Sequence, residues 1–507
     1  MSNKNFYVTT PIYYPSGNLH IGHAYTTVLA DVIARYKKEN GYNVFFLTGS
    51  DEHGQKIETK AKEANLDPKK YVDGMIVGFK ELWKKLDINF DRFIRTTDED
   101  HVEGVKKIFT KLLKQDDIYL GEYVGKYCTS CEEFLTKEQM DENFRHSVCK
   151  NIAKDLSEET YMLRVSKYHK FLVKLFETNF LIPENRKSEM LNNFINNNLE
   201  DLSVTRVTFD WGIKINESDK HIIYVWLDAL SNYITALGWG SDNDKLLKQF
   251  WSKDSEVLQI VGKEITRFHS IYWPVMLEGL GLKMPDKLLS HGWILVKNEK
   301  MSKSLGNVVD PNYIINTYGS DAVRFYISYN LPTENDGSYS DELMIESFNT
   351  NLANNIGNLI SRVSNMIIKY SDGLLNKVDI SKTELFKESQ VTIKNFGILM
   401  DEYKYSKAIE TVLGLGNLAN KLIEDSKPWD LDKQGKKKEL NLLLSQLQYA
   451  IVTINFLLKP ILVKSYETMM IQMGVDGSQL SLSSLVKNEI SFSKIKEKLI
   501  IFKRLAI

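Results

Sequence analysis

The sequence predicts an α/β domain built on a parallel sheet, carrying an inserted segment and followed by an all-α helical bundle. Three observations predict it. Residues 6–49 run strand, helix, strand with short joins; short mixed segments holding all three cysteines interrupt that rhythm from about 116 to 215; and after Pro332 the composition turns to long helical patterns. The length agrees, since 507 residues exceed the roughly 250–300 that one core usually organises.

Each element has its own reason. FYVTT (6–10) is a short apolar, β-branched run and reads as a strand. From 21 to 40, Ala24, Val28, Val32 and Tyr36 recur every four residues, which makes one helical face, and Gly41 ends it. NVFFLTG (43–49) is an unbroken apolar run, as a strand buried on both faces requires. Strand, helix, strand with short joins is a βαβ unit, hence a parallel sheet. After the interruption, HIIYVW (221–226) and EVLQIVG (256–262) read as strands, KEITRFHSIYWPVMLEGLG (263–281) as helical, and LLSHGWILV (288–296) as a strand pair. Further on, Leu440, Leu444, Leu447, Ile451, Ile454 and Leu458 follow a four–three spacing, and several such segments between about 345 and 470 predict a bundle.

Composition narrows the function classes. The hydrophobic fraction is 43% and the charged fraction 26%, as in globular proteins. Lys and Arg total 65 against 66 Asp and Glu, so bulk charge does not point to nucleic acid, and any such binding must come from local placement. Three cysteines are too few for a disulfide framework and fit a reducing compartment. No secretory leader is legible in MSNKNFYVTTPIYY, and the apolar stretch 440–463 is broken by polar residues, so no membrane span is expected. The expected location is the cytoplasm.

Two motifs carry chemistry. PSGNLHIGH (15–23) lies between the first strand and the first long helix. A helix start presents N–H groups and a positive dipole end, which suit an anion, and His20 and His23 add imidazole donors. KMSKS (300–304) places Lys300 and Lys303 in a polar loop after an apolar run, where two point charges can neutralise a leaving pyrophosphate. Alone, each is ordinary: a helix start with two histidines, and a solvated basic loop.

As a pair, flanking α/β segments, they resemble the two signatures of class I aminoacyl-tRNA synthetases. The segments between them choose among that class. TTPIYY (9–14), FLTGSDEHG (46–54), YVWLDALSNY (224–233), GKEITRFHSIYWP (262–274) and HGW (291–293) resemble, in order, the corresponding parts of methionyl-tRNA synthetases. On these blocks, spread over nearly the whole chain, it is identified as a member of that family. Large editing insertions of the leucine, isoleucine and valine enzymes are absent, and no cysteine lies in the matched pocket blocks as a cysteine enzyme would require.

The resemblance implies a Rossmann-like catalytic domain in two halves (1–115 and 216–280), a connective insertion (116–215), a KMSKS and stem-contact region (281–347) and an anticodon-binding bundle (348–507). It implies methionine contacts at Pro11, Ile12, Tyr14, Asp51, Trp226, Ala229, Tyr233, Ile265 and His269. A thioether favours aromatic walls, and a carboxylate suits the substrate ammonium, so the residue types agree. A weak donor to sulfur is expected from His269 or Tyr233. ATP contacts are implied at His20, Gly22, His23, Arg206, Gly262, Lys263, Glu264, His291, Gly292, Trp293 and Lys303, with His20, His23, Lys300 and Lys303 as the catalytic set and Mg²⁺ accompanying ATP.

YCTSCEEF (127–134) resembles half of the family's zinc knuckle, with Cys128, Cys131 and Cys149 as three ligands. Ile152 stands at the fourth-ligand position; His146 is a candidate substitute, Asp141 and Glu142 lesser ones, and a metal-free knuckle is the alternative. In the bundle, Asn358, Arg362 and Trp429 match positions that read or stack on anticodon bases, residue types apt for single-stranded loops. The implied partners are L-methionine, ATP and tRNA(Met). The chain is too short for the family's additional dimerising module, so a monomer is expected.

Overall fold

A computed structural model describes residues 4–129, 133–135, 139–197, 199–296, 299–301, 308–496 and 499–506. The chain forms two compact units. The first comprises 1–19, 42–83 and 89–291; the second comprises 20–41, 84–88 and 292–507.

In chain order the first unit contains β1 (Asn5–Tyr13), β2 (Asn43–Ser50), β3 (Arg92–Arg95), β4 (Ile118–Cys128), β5 (Glu133–Leu135), β6 (Lys154–Leu163), β7 (Leu181–Ile182), β8 (Leu202–Ser203), β9 (Thr205–Arg206), β10 (Ile222–Ile223), β11 (Ser255–Gly262) and β12 (Lys287–His291). Six of them make one parallel sheet in the order β3-β2-β1-β11-β12-β7. Val8 pairs with Leu258 on one side and Phe46 on the other. Phe6, Tyr7 and Val8 are all fully buried, so both faces are covered, as the unbroken apolar runs predict. Strand succession leaves β1 in opposite directions, toward β2 and β3 on one side and β11 and β12 on the other. The junction of β1 and β11 is therefore a switch point, with all carboxyl ends at one edge.

Close strand spacing dictates Gly49. A Cβ there would lie 2.1 Å from the Ile94 carbonyl oxygen and 3.0 Å from Ile12 Cγ2. Around the sheet, Tyr7, Leu47, Ile94, Phe109, Leu230 and Trp273 belong to one continuous core.

The span read as an insertion is mixed. Its antiparallel sheet, β5-β4-β6-β8, runs in register from Ile118–Leu163 to Tyr127–Lys154. By contrast, β7 is an edge strand of the main sheet, and Leu172, Leu175 and Phe176 join the main core. The run 221–226 is not one strand: β10 holds only Ile222 and Ile223, and a helix, Val225–Thr235, begins at once. A short apolar run does not by itself distinguish strand from buried helix. Residues 263–281 are helical but not uniform, passing from a 3₁₀ turn through a π turn (Phe268–Tyr272) into Trp273–Leu280. LLSHGWILV divides between two sheets, since β13 (Ile294–Val296) pairs with β14 (Glu299–Lys300) and β15 (Gly337–Tyr339) of the second unit.

The second unit is mainly helical: Asn358–Ser371, Glu384–Asp401, Tyr405–Ser426 and Lys437–Leu458 form its bundle. The four–three leucine and isoleucine series of the last helix is buried throughout. That helix is long and apolar enough to cross a membrane by composition, but 78% of its apolar window is buried within the protein. The helix Ile21–Glu39 belongs to this unit. Its buried Asp31 lies 2.7 Å from Arg324, itself fully buried, which also donates to the carbonyls of Leu86, Pro460 and Ile461. Tyr36 donates to Gly397 and Lys37 pairs with Asp401, so the helix is fastened to the bundle along its length.

Candidate active site

In the first unit, strand ends and one helix supply the predicted methionine residues. Pro11 and Ile12 close β1, and Asp51 follows β2 with its amide donating to the Tyr13 carbonyl at 3.0 Å. Trp226, Ala229 and Tyr233 sit at i, i+3 and i+7 of the helix Val225–Thr235 and share one face. Asp51, Ala229, Tyr233 and His269 are buried, whereas Pro11, Ile12, Tyr14, Trp226 and Ile265 are half-buried, as wall residues of a pocket would be.

Two aromatic contacts organise this region. Trp226 stacks on Phe268 with centroids 3.6 Å apart and planes 7° from parallel. Tyr233 Oη lies 2.7 Å from His269 Nε2, and His269 Nδ1 lies 3.0 Å from the Ile265 carbonyl oxygen. A carbonyl only accepts, so Nδ1 carries the ring proton. Burial pushes His269 down to about 4, so the ring is neutral at pH 7 and Nε2 must accept from the Tyr233 hydroxyl. Burial also pushes the Tyr233 phenol well up. Both protons are thus committed within the protein. The pair thus presents polarizable ring to its surroundings, and a donor to a thioether sulfur requires one of these hydrogen bonds to open.

Charged groups flank Asp51. Glu52 accepts from Ser50 at 2.5 Å, from Arg95 at 2.6 and 2.9 Å and from Thr97 at 2.6 Å. His53 Nδ1 donates to Asp228 at 2.7 Å, and the other Asp228 oxygen accepts from His101 Nε2 at 2.7 Å. Burial opposes ionisation of Asp228, yet His53 and His101 together hold it below the usual carboxylate range. Sequence reasoning missed this cluster, although an aspartate inside the apolar run VWLDAL was a signal.

At the same sheet edge, Gly262 ends β11, Lys263 and Glu264 follow it, and His291 ends β12. A Cβ on Gly262 would lie 2.6 Å from the Glu264 carboxylate, so a side chain there would displace that carboxylate. Arg206, the predicted phosphate contact, is deeply placed. It is 1% exposed, its guanidinium lies 3.8 Å over the Tyr224 ring, and Nη1 donates to Ser203 Oγ and the Thr205 carbonyl. It also lies 3.7 Å from buried Glu158. The guanidinium packs as a cation over the Tyr224 ring.

The cysteine knuckle also lies in the first unit. Sγ of Cys128 and Cys149 are 3.4 Å apart, and His146 Nδ1 lies 3.5 Å from Cys149. The three donor atoms fall within 4.8 Å of one another. His146 is 1% exposed, whereas Ile152, at the expected fourth position, is 58% exposed. Asp141 accepts from the amides of Asn143 and Arg145, holding a turn instead. Cys131 lies outside the described residues.

The second unit carries the phosphate-type motif. His20 is the N-cap of the helix Ile21–Glu39; its Nδ1 accepts from the Gly22 amide at 3.1 Å, and His23 Nδ1 accepts from the His20 amide at 2.9 Å. A nitrogen that accepts carries no proton, so each neutral ring holds its proton on Nε2 as a donor. The first helical turn has no acidic residue. A Cβ on Gly22 would lie 2.9 Å from the His20 ring. Gly292 is similarly constrained, its missing Cβ facing the Asn335 carbonyl at 2.1 Å, and the Trp293 amide donates to Asp336. Lys303 lies outside the described residues, and Lys300 is described through its backbone, paired with Leu295. In the bundle, Asn358 and Arg362 are one helical turn apart, Arg362 pairs with Glu424 at 2.6 Å, and Trp429 is 39% exposed after the helix Tyr405–Ser426.

A parallel sheet with polar and aromatic groups at its carboxyl edge, and a histidine-capped helix start, define an α/β enzyme that handles a nucleotide. Comparison with known proteins makes this specific. The chain matches the family described as tRNA synthetases class I (M) over residues 6–144 and 141–364, and it belongs to that family. It is 45% identical to the methionine--tRNA ligase of Ureaplasma parvum, covering 100% of this chain and 99% of that one. It is 46% identical to that of Clostridium tetani, covering 94% and 75%. The Mycobacterium tuberculosis methionyl-tRNA synthetase in complex with methionyl-adenylate superposes with a TM-score of 0.91 at 31% identity, covering 99% and 100%.

The neutral histidine makes stability depend on pH. An unfolded histidine titrates near about 6.5, and this one near about 4. Between these values the unfolded chain binds a proton that the folded ring refuses, so stability present above about pH 6.5 falls as pH drops toward about 4, by about 3 kcal/mol. Thermal melts should show this slope, and His269→Gln should flatten it. Identical slopes for the two proteins would contradict the assignment.

Proposed function

We propose that this protein activates L-methionine with ATP, releasing pyrophosphate, and transfers the methionyl group from methionyl-adenylate to the 3′-terminal ribose of tRNA(Met). The aromatic wall of Trp226, Phe268, Tyr233 and His269 beside the β1–β11 switch point carries this reading, together with family membership over nearly the whole chain.

The chemistry needs placement more than a protein nucleophile. The methionine carboxylate attacks the α-phosphorus, and the bond to the bridging oxygen of pyrophosphate breaks. Asp51 pairs with the substrate ammonium, and Pro11, Ile12, Tyr14, Trp226, Ala229, Tyr233, Ile265 and His269 enclose the side chain. Gly262, Lys263, Glu264, His291, Gly292 and Trp293 hold the nucleotide. The Nε2–H groups of His20 and His23, beside Gly22, meet phosphate oxygens, and Lys300 and Lys303 neutralise the departing pyrophosphate. Mg²⁺ enters as the counter-ion of ATP. Arg206 is assigned to the ATP phosphates by its matched block alone. In the bundle, Asn358, Arg362 and Trp429 read the anticodon by edge hydrogen bonds and stacking.

The knuckle fits a zinc ion. Cys128, Cys149 and His146 are already clustered and would supply two sulfurs and an imidazole, with Cys131 the family-implied fourth ligand. There the metal would brace the end of the β4–β5 hairpin, a structural task.

Purified protein should charge tRNA(Met) with methionine in the presence of ATP, and Lys303→Ala should lower that rate by about 10²-fold or more. Absence of methionyl-tRNA would sink the functional reading; a Lys303→Ala rate near wild type would sink the role of the loop. Elemental analysis of protein prepared without chelators should find about one zinc per chain, lost in Cys149→Ser. Zinc-free protein overturns the metal assignment.

A further inference from the structure

The buried Asp228 cluster has no place in the chemistry above, yet it joins two walls of the methionine region. Asp228 and Thr235 occupy one face of the helix Val225–Thr235, seven residues apart, while Trp226, Ala229 and Tyr233 occupy another. His101, on the helix Glu99–Lys114, bridges that rear face: Nε2 meets Asp228 and Nδ1 meets Thr235 Oγ1, each at 2.7 Å. The two helices approach closely, since a Cβ on Gly104 would lie 2.6 Å from Thr235 Cγ2. His53 holds the other Asp228 oxygen from the segment that carries Asp51. Asp228 and His101 are fully buried, and His53 nearly so.

Asp51 is therefore flanked by two anchors of different reach. Glu52, through Arg95 and Thr97, fastens the segment to the end of β3. His53, through Asp228, fastens it to the pocket helix. A buried carboxylate is tolerated only where donors satisfy it, and here each oxygen has one from a different element. Removing the charge would loosen the helix and the Asp51 segment relative to each other.

We propose that Asp228 is a positioning residue for methionine binding. It fixes the distance between the Asp51 carboxylate and the aromatic wall of Trp226 and Tyr233, so that the ammonium and the thioether of one ligand are engaged together. The proposal rests on the methionine reading above.

Steady-state ATP–pyrophosphate exchange tests it. Asp228→Asn keeps the volume but turns an amide N–H toward one histidine. The KM for methionine should rise about tenfold or more, with kcat and the KM for ATP within about threefold of wild type. His53→Ala should behave the same way. His53→Asn, whose amide nitrogen takes the place of Nδ1, should restore most of the methionine affinity. A purely structural role would instead move both KM values and kcat together with the melting temperature, and would give no rescue by asparagine. An unchanged methionine KM in Asp228→Asn and His53→Ala overturns the proposal, as does a His53→Asn variant no better than alanine. If Asp228→Asn does not fold, the two His53 variants decide alone. Wild-type protein without methionine-dependent exchange overturns the functional reading and this proposal together; unchanged variants overturn only this one.

Discussion

The parallel pairing of β1 with β11 is the constraint on which the first unit's site depends. Because the chain leaves β1 toward β2 on one side and β11 lies on the other, a crevice opens at their carboxyl ends. Pro11, Ile12, Asp51, Gly262 and His291 are brought to one edge by backbone hydrogen bonding alone. Their residue types then follow from space. Glycine at 49 is required by a backbone oxygen that a Cβ would strike, and the buried apolar side chains keep both sheet faces dry.

What this edge offers a ligand is mostly neutral. Tyr233 and His269 satisfy each other and the Ile265 carbonyl, so an aromatic surface is built from two titratable residues without presenting a charge. Beside Asp51, two buried carboxylates are each matched by partners. Glu52 is matched by Arg95, and Asp228 by two histidines. Such matched groups contribute little net stability but make rearrangement costly, because breaking one leaves a buried charge unpaired. Rigidity of this kind suits a reaction in which the protein aligns a carboxylate with a phosphorus atom rather than forming a bond to either.

Much of this was legible in the residues. The strands β1, β2 and β11 and the helix Ile21–Glu39 match the spans read from apolar runs and four-residue spacing within one to three residues at either end, because strong periodicity leaves few alternatives. The π turn at Phe268–Tyr272 was not legible, since its shift of hydrogen bonding depends on what packs against it. Nor was the Asp228 cluster. Its partners lie 175 and 127 residues away along the chain, and only tertiary packing joins them. Arg206 was read from its matched block, and burial against Tyr224 could not be seen there. At the knuckle the sequence offered His146 among three substitutes, and burial separates it from Asp141 and Ile152.

The central claim is that the aromatic wall of Trp226, Tyr233 and His269 selects methionine by shape and polarizability. The most direct test is amino-acid-dependent ATP–pyrophosphate exchange across methionine, its sulfur-free isostere norleucine, leucine, valine and cysteine. The account predicts methionine as the best substrate and norleucine within about 10²-fold of it, because a hydrophobic pocket discriminates weakly between isosteres. Discrimination against norleucine of about 10⁴-fold or more would contradict it by requiring a hydrogen bond to sulfur, and faster exchange with leucine, valine or cysteine would contradict the assignment of the substrate itself.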